Sequence, residues 1–432
     1  MEPLSIGILG CAALLLFLVG SMPVAFAMAI VGAVGFAAVV SPRAAMSVVA
    51  ADFYATFTNY NLTVIPLFIF MGQVAFHTGI SSRLFAAANN WFSSLRGGLA
   101  MATVGACAAF GAICGSGPAT AATMAAVALP EMRRYKYDDA LASGTVAAGG
   151  GLGMLSPPSV VFIVYGILTE QSIGKLFFAG ILPGLLVAFL FCLSIRIQCW
   201  LNPNAAPPAQ KVPWRTRIKS LAGVTETLLL FFFVMGGMFA GFFTPTEGAA
   251  IGAFGSIVIA AIGRHLTLEV LWKAGEETLR TSCMVLVIIA GATVFGHFLA
   301  VTGTPMHFAG WLAQLPLPAW VIILAIIAFY LVCGCFIDSL ALILLTVPIL
   351  YPVILKLHYD PIWFGVMAVL VTQMGVITPP VGVNAYVVSG IERSIPLQTV
   401  FRGSLPFLFA LFLACTLLLL FPQIATWLPY SL

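Results

Sequence analysis

Two proline pairs inside apolar runs are the residues in this sequence best placed to create a binding site. They are Pro157-Pro158, within Ser-Pro-Pro-Ser, and Pro379-Pro380, within Thr-Pro-Pro-Val-Gly-Val-Asn. Proline has no N–H donor and clashes with the preceding turn, so a helix stops before such a pair. In a membrane, the freed backbone groups must find partners in protein or at a wet cavity. Each pair therefore predicts a broken membrane helix whose exposed main chain can bind an ion or a polar solute.

Unwound carbonyl groups and half-helix C-termini suit a small hard cation such as Na⁺. Half-helix N-termini carry free N–H groups and a partial positive charge, which suits an anionic substrate. The two proline-broken runs have no basic residue in their interiors. The sequence therefore predicts that the backbone itself holds both the anion and the sodium ion.

The two breaks belong to an internal repeat. Pro157 and Pro379 stand 222 residues apart (379 − 157), and Gly153 and Gly375 have the same separation. Matching broken helices in two halves of a membrane protein are typical of transporters, whose sites lie between the repeats.

Composition places the whole chain in a lipid bilayer. Of its 432 residues, 61% are hydrophobic and only 7% are charged, with a mean hydropathy of +1.10. Soluble domains carry about 25% charged residues. We therefore predict an all-α polytopic membrane protein. The net charge of +4 does not indicate a nucleic-acid partner, because the cytoplasmic loops of membrane proteins collect Lys and Arg.

Apolar runs and their interruptions predict the elements of the first half. A tight turn at residues 20–23 separates the first two spans, and a loop with Arg43 and Asp52 precedes the third. Each half of the hairpin is too short to cross the bilayer, so its tip at Gly115–Pro118 is expected at mid-membrane. The predicted elements are spans at 4–22, 24–41 and 61–80, an amphipathic arm at 81–97, a re-entrant hairpin at 98–132, a broken span at 139–170 and a span at 175–199.

The second half repeats this plan after a polar, basic linker that includes Lys211. Its predicted elements are spans at 221–242, 246–263 and 281–302, an arm at 303–318, a hairpin at 319–357, a broken span at 361–392 and a last span at 404–430. The chain is thus divided into two repeats joined by a cytoplasmic linker at 200–220. Repeat 1 has scaffold and arm helices at 1–97, followed by its hairpin, broken helix and span at 98–199. Repeat 2 has scaffold and arm helices at 221–318, followed by its hairpin, broken helix and last span at 319–432.

Five complete passes in each half make the two repeats inverted relative to each other. With the linker in the cytoplasm, only Arg43, Lys175 and Lys356 of the 18 Lys and Arg residues fall outside. That asymmetry is the one expected from the positive-inside rule. Both termini are then predicted to be periplasmic.

In the first half, small and polar residues cluster at the hairpin tip and in the break. The candidates are Gly115, Ser116, Gly117 and Thr120 at the tip, and Gly149, Gly150, Gly153, Ser156, Pro157 and Ser159 in the break. Glycines there permit close backbone approach and unusual dihedral angles. Close packing of helices through small residues is the alternative explanation.

In the second half, Asp338 is the most informative residue. An acid in apolar sequence is costly in lipid and is a functional candidate by default, as a cation ligand or in a proton relay. The alternative, compatible with the first, is that it caps the following helix. Asn384 either faces the cavity or bonds a neighbouring helix. The remaining candidates are Ser339, Thr372, Gln373, Gly375, Thr378 and Pro379.

Glu247 follows Pro245 at the start of a span, where an acid interacts favourably with the helix dipole; ion coupling is the alternative role. Walker A, Ser/His/Asp and HExxH patterns are absent from the sequence. We therefore expect that this chain does not hydrolyse ATP and that it is not an enzyme.

Several motifs resemble the large membrane subunit of tripartite ATP-independent periplasmic (TRAP) transporters, over nearly the whole chain from Pro23. They are Gly115-Ser116-Gly117-Pro118-Ala119-Thr120, Ser156-Pro157-Pro158-Ser159 with Tyr165-Gly166, Tyr359-Asp360-Pro361 with Phe364-Gly365, and Thr378-Pro379-Pro380-Val381-Gly382-Val383-Asn384. The chain departs from the family pattern at Thr372-Gln373, where an Asn-Leu pair is common, and at Gly117, where a second Ser is frequent.

The resemblance implies a sodium-driven importer of organic acids in the bacterial inner membrane. It implies an elevator mechanism, in which hairpins and broken helices move as a transport domain against a scaffold. It also implies two partners, a periplasmic substrate-binding protein and a small four-helix membrane subunit. Sodium sites are expected around Ser116, Gly153, Pro157, Asp338, Thr372, Gly375 and Thr378, and substrate contacts at Ser116, Thr120, Ser159 and Asn384.

Three alternatives differ in mechanism. A self-sufficient divalent-anion/sodium symporter of related architecture would need no binding protein. A membrane enzyme such as a lipid-modifying transferase would want clustered Asp, His and Arg at one interface. A passive channel would show neither sodium dependence nor saturating counterflow.

Overall fold

The computed structural model describes residues 2–20, 22–208, 212–222, 224–314 and 316–431, and the regular elements in these ranges are helices. Ser21 of the predicted first turn, Lys211 of the linker and residue 315 of the second arm lie outside the described residues. The helices of the first half are α1 (Pro3–Val19), α2 (Val24–Val39), α3 (Pro42–Thr58), α4 (Val64–His77), α5 (Ile80–Phe92), α6 (Gly98–Cys114), α7 (Gly117–Arg134), α8 (Asp139–Gly150), α9 (Leu152–Leu155), α10 (Val160–Thr169) and α11 (Ile173–Leu201).

The second half follows with the same order of hairpin, broken helix and long last helix. Short 3₁₀ turns occur at Tyr60–Thr63 and Pro203–Ala205. The remaining helices are α12 (Trp214–Ala222), α13 (Thr225–Phe239), α14 (Pro245–Ile262), α15 (Leu268–Thr302), α16 (Thr304–Gln314), α17 (Ala319–Gly334), α18 (Ser339–Lys356), α19 (Pro361–Gly375), α20 (Val383–Ile391), α21 (Leu397–Leu420) and α22 (Gln423–Ser431).

The predicted membrane architecture is confirmed. Among the described residues, seven helical stretches are long and apolar enough to cross a bilayer, and shorter apolar helices of 10–17 residues accompany them. In each half a hairpin of two helices precedes a helix interrupted at the proline pair. The hairpins are α6–α7 and α17–α18, and the interrupted helices are α8–α9–α10 and α19–α20.

The predicted loop after the second span is wrong, because residues 42–58 form α3. Pro42 occupies the first turn, where its missing N–H costs nothing, and the Ser41 hydroxyl accepts from the Ala44 N–H at 3.2 Å. The acid that argued for a loop is paired: Asp52 Oδ2 lies 2.8 Å from His297 Nδ1 on α15. Pairing removes much of the cost of placing a carboxylate between helices.

Several predicted boundaries are also wrong. The span predicted at 281–302 is the C-terminal part of α15, which starts at Leu268 and keeps its charged residues within the helix. The span predicted at 404–430 is α21 and α22, separated at Pro422, where proline cannot continue the first helix. The linker contains α12, whose Trp214 ring packs edge-on against Trp91 of α5, with 5.4 Å between ring centroids.

Two groups of helices can be distinguished by their contacts. One group packs around α15, which contacts α2, α3 and α4. The other packs around α8, which contacts α6, α7, α20 and α21 and so joins elements of both halves. The division of the chain into a scaffold and a transport domain stays a prediction.

Helices α8 and α21 meet at glycine, and this contact yields a test of the packing. A Cβ added at Gly403 would lie 2.6 Å from the carbonyl carbon of Ala140 and still nearer its oxygen. Because both sides are backbone, Gly403→Ala is expected to lower the free energy of unfolding by about 1–3 kcal/mol. Thermal unfolding in detergent measures this, with Gly275→Ala, where an added Cβ meets no atom within 4 Å, as the control. Equal unfolding midpoints for the two variants would contradict the packing.

Candidate substrate and ion site

The two helix breaks are built alike, each closed by a hairpin-tip carbonyl group. In the first half, the Val160 N–H donates to the Gly115 carbonyl oxygen at 3.3 Å. In the second half, the N–H groups of Val381 and Gly382 donate to the Cys335 carbonyl oxygen at 3.2 and 3.3 Å. The bond between the two prolines is cis in both breaks. Each tip is therefore fixed to the backbone that follows a proline pair.

Glycine permits the close approach of tip and break. A Cβ at Gly153 would lie 2.5 Å from Thr120 Oγ1 and 2.8 Å from the Ser116 carbonyl oxygen. A Cβ at Gly375 would lie 2.6 Å from both the Cα and the carbonyl oxygen of Gly334. These distances are below any normal van der Waals contact, so only glycine fits at either position without movement of the tip.

The two breaks also lie against each other. A Cβ at Gly151 would lie 2.6 Å from the Gln373 side-chain nitrogen, which places α9 directly on α19. The Asn384 side-chain N–H group donates to the Ala147 carbonyl oxygen on α8 at 3.1 Å. The predicted convergence of the two breaks is thus present in the structure.

An ion-paired cluster joins the same elements at their other end. The Arg133 guanidinium on α7 donates two hydrogen bonds of 2.9 Å to the Asp139 carboxylate on α8. It also lies 3.3 Å from Glu392 and donates at 2.6 Å to Ser394, just beyond α20. Bidentate arginine pairs of this kind add geometric specificity to their attraction. The first hairpin and both broken helices are therefore tied together.

A cavity of about 490 Å³ lies between the two hairpin tips and the helices α4 and α15. This volume falls within the range of about 300–1,000 Å³ typical of small-molecule sites. The polar residues of its lining come from both tips and from the facing helices. They are Ser116, Thr123, Asp338 and Ser339 on the hairpin side, and Gln73, Glu277 and Thr281 on the facing side.

Three helix N-termini end at this cavity. The first residues of α7, α10 and α18 line it, through Pro118, Val160 and Leu340. The caps of α7 and α10, Ser116 and Ser159, make no side-chain capping bond. Pro118 has no N–H, and the Val160 and Leu340 N–H groups already donate to Gly115 and Asp338, so the attraction of these ends for an anion comes from the helix dipole.

Asp338 and Ser339 form the second tip. An Asp338 carboxylate oxygen accepts from the Leu340 N–H at 3.0 Å, so the predicted cap is present, and Asp338 is also a lining residue of the cavity. The Ser339 side chain is 1% exposed, and its hydroxyl has no hydrogen-bond partner among the described residues. A buried hydroxyl without a partner is costly unless a ligand or water completes it.

The structure brings some of the predicted site residues to the cavity and leaves others behind it. Ser116 and Asp338 line the cavity. Thr120 lies behind the first tip, where its hydroxyl donates to the Ser116 carbonyl oxygen at 2.8 Å. Ser159 is fully buried, and its hydroxyl has no partner among the described residues.

The remaining predicted residues lie within the two breaks. Gly153 and Gly375 pack on the tips, and Pro157 stands between α9 and α10. The Thr372 and Thr378 hydroxyls donate to the backbone carbonyls of Val369 and Met374, at 2.9 and 2.7 Å. Thr378 lies in the unwound stretch after α19, whereas Thr372 lies within α19 and its carbonyl oxygen accepts from the Val376 N–H at 3.1 Å.

Four polar residues of the cavity lining were missed by the sequence analysis, Thr123 on α7 and three on the facing helices. Gln73, Glu277 and Thr281 lie on α4 and α15, which were predicted only as scaffold. The available signal was the acid at position 277, which was assigned to a loop before the span. Glu247, in contrast, forms a capping box with Thr244, whose N–H donates to its carboxylate at 2.8 Å, and it does not line the cavity.

Comparison with known proteins agrees with this architecture. The family model "Tripartite ATP-independent periplasmic transporter, DctM component" matches residues 11–424. The C4-dicarboxylate TRAP transporter large permease protein DctM of Pseudomonas aeruginosa is 36% identical over 377 residues, covering 87% of this chain and 88% of that protein. The sialic acid TRAP transporter large permease protein SiaM of Vibrio cholerae is 36% identical over 372 residues, covering 86% of each chain.

Solved structures share the fold at lower sequence identity. The Alcanivorax borkumensis YdaH transporter matches with a TM-score of 0.61 and 16% identity, covering 90% of this chain and 89% of that one. The Neisseria gonorrhoeae efflux pump MtrF matches with a TM-score of 0.54 and 13% identity, covering 86% and 83%. At these identities the likeness concerns the fold alone. The family model and the identities to the permeases decide the family: this chain belongs to the large permease proteins of the TRAP transporters.

Proposed function

We propose that this subunit imports an organic acid together with sodium ions. The observation that carries the proposal is the cavity at which two hairpin tips, one helix break and three helix N-termini meet. The N-termini supply positive potential for the carboxylate. The tip and break carbonyl groups, with the Asp338 carboxylate, supply the oxygen ligands that Na⁺ requires. The relatives named above support an organic acid as the substrate.

The packing supports an elevator mechanism. The cavity lies between the helices around α15 and the hairpins and broken helices, which are tied together by glycine contacts and the Arg133 cluster. A body held internally by such contacts can move as a unit against the other group. We propose that this movement carries the site across the membrane.

The same proposal determines how the structure is oriented in the membrane. With the basic linker in the cytoplasm of a bacterial cell and both termini in the periplasm, α15 starts at the cytoplasmic side. Glu277 is nine residues into this helix, or about 14 Å along its axis. The cavity, which reaches Glu277, then opens toward the cytoplasm, as in the state that releases substrate.

Uptake into proteoliposomes tests the function. The chain is reconstituted with its small membrane subunit, and its cognate periplasmic binding protein is added with radiolabelled acid. We expect uptake under an imposed sodium gradient and none under a proton gradient alone. Uptake driven equally well by protons would contradict sodium coupling.

The same assay separates this function from that of a self-sufficient symporter. We expect uptake to require both the binding protein and the small subunit. Full uptake by this chain alone would instead assign it the self-sufficient mechanism.

A further inference from the structure

The cavity has an unusual charge inventory for an organic-anion site. Among its described lining residues there are two carboxylates, Glu277 and Asp338, and no Lys or Arg. The helix N-termini and the unpartnered Ser339 hydroxyl lie on the hairpin side. One anionic group is therefore accommodated at the tips, together with sodium, while the described lining of the facing side has no Lys or Arg to pair with a second one.

The facing side presents hydrogen-bond acceptors instead. The Glu277 side chain on α15 is 48% exposed, and its Oε2 lies 3.3 Å from His77 Nε2 on α4. Gln73 lies one turn before His77 on α4 and adds an amide group to the same wall. The lysine and the arginine of α15, Lys273 and Arg280, do not line the cavity, and Lys273 is bonded to Glu269 at 2.7 Å. A solute group that reaches this wall meets a carboxylate and an amide.

Resting on the function proposed above, we propose that the imported acid is a monoanion whose far end donates hydrogen bonds, through hydroxyl, amide or ammonium groups, and that Glu277 and Gln73 are the residues that select it. The carboxylate of the substrate lies at the hairpin tips, and its donor groups face α4 and α15. A dicarboxylate would direct its second charge at Glu277, where like charges repel.

A matched pair of probes tests this assignment. Succinate and succinamate share a carbon skeleton and differ only at one end, which is a carboxylate in the first and an amide donor in the second. Binding of each to the purified full-length chain is measured in detergent with sodium at about pH 8, where both carboxyls of succinate are ionised. Gluconate and N-acetylneuraminate complete the panel as polyhydroxylated monoanions.

For the wild type we expect succinamate to bind about tenfold more tightly than succinate, since a half-exposed charge is partly screened. In Glu277→Gln this preference should fall to about twofold or less, because the amide no longer repels the second carboxylate. Glu276→Gln is the matched control, since Glu276 is an exposed neighbour that does not line the cavity. It should keep the wild-type ratio. The ratio of two affinities in one sample does not depend on the amount of folded protein.

The possible failures are distinguishable. Succinate binding as tightly as succinamate to the wild type, or an unchanged ratio in Glu277→Gln, would overturn the selection of a monoanion and leave the proposed function standing. Absence of binding for every acid in the panel would also overturn this inference, whereas the proposed function fails only if sodium-driven uptake with the cognate binding protein is absent.

Discussion

Gly375→Ala is expected to reduce sodium-driven uptake by about 10- to 100-fold, corresponding to about 1–3 kcal/mol of overpacking. The added Cβ would lie 2.6 Å from the Cα and the carbonyl oxygen of Gly334. Neither backbone can yield without moving the second hairpin tip away from the break. That movement displaces Asp338 and the carbonyl oxygens of the unwound stretch, so the ion site is expected to lose its geometry. Initial rates of uptake into proteoliposomes measure the effect.

The same contact supplies its own control. A Cβ at Gly334, on the opposite side, would lie 3.4 Å from the Gly375 Cα, which is an ordinary contact. Gly334→Ala should therefore keep uptake within about threefold of wild type. Gly390→Ala on α20, with open space around the added atom, should behave like wild type. Equal losses in Gly334→Ala and Gly375→Ala would contradict the tip geometry.

Asp338→Asn is expected to raise the sodium concentration for half-maximal uptake by about 10- to 100-fold while leaving the fold intact. Asn and Asp are equally good helix N-caps, so the bond from the Leu340 N–H survives the change. The negative charge of this lining residue is lost, and with it a strong oxygen ligand for a hard cation. Sodium titrations of uptake, together with thermal unfolding, separate the two effects.

Two further variants, Asp138→Asn and Asp338→Ala, distinguish the two possible roles of Asp338, as a charged ion ligand and as a helix cap. Asp138 accepts hydrogen bonds from the Ala140 and Leu141 N–H groups at the start of α8 but does not line the cavity. Asp138→Asn should leave sodium dependence unchanged. If Asp338 served only as a helix cap, Asp338→Ala would lower the free energy of unfolding by about 1 kcal/mol. Asp338→Asn would then match wild type both in the sodium titration of uptake and in thermal unfolding. That outcome would remove Asp338 from the ion site.

Local backbone chemistry made much of the architecture predictable. Proline pairs cannot lie within a continuous helix, so Pro157-Pro158 and Pro379-Pro380 located both breaks. The polar interruption at Gly115 located the first hairpin tip. Gly115 is left-handed in the structure, with φ +63°, a conformation that glycine adopts without strain.

Other features depend on long-range contacts and were not predictable from local sequence. The pairing of Asp52 with His297 was not predictable, because the two residues are 245 positions apart in the sequence. Without that partner, Asp52 was placed in a loop. Glu277 was assigned outside a span because hydropathy does not show that α15 already begins at Leu268. The role of Gly375 rests on its contact with Gly334, which no local sequence pattern shows.

Binding of radioactive sodium to the purified chain tests the central claim most directly, since the backbone of two matched breaks is proposed to hold the coupling ions. Wild type, Gly153→Ala, Gly375→Ala and the double variant are compared at saturating sodium. We predict that each single variant loses part of the bound sodium and that the double variant loses nearly all of it. Undiminished, saturable sodium binding in the double variant would show that the ions bind elsewhere.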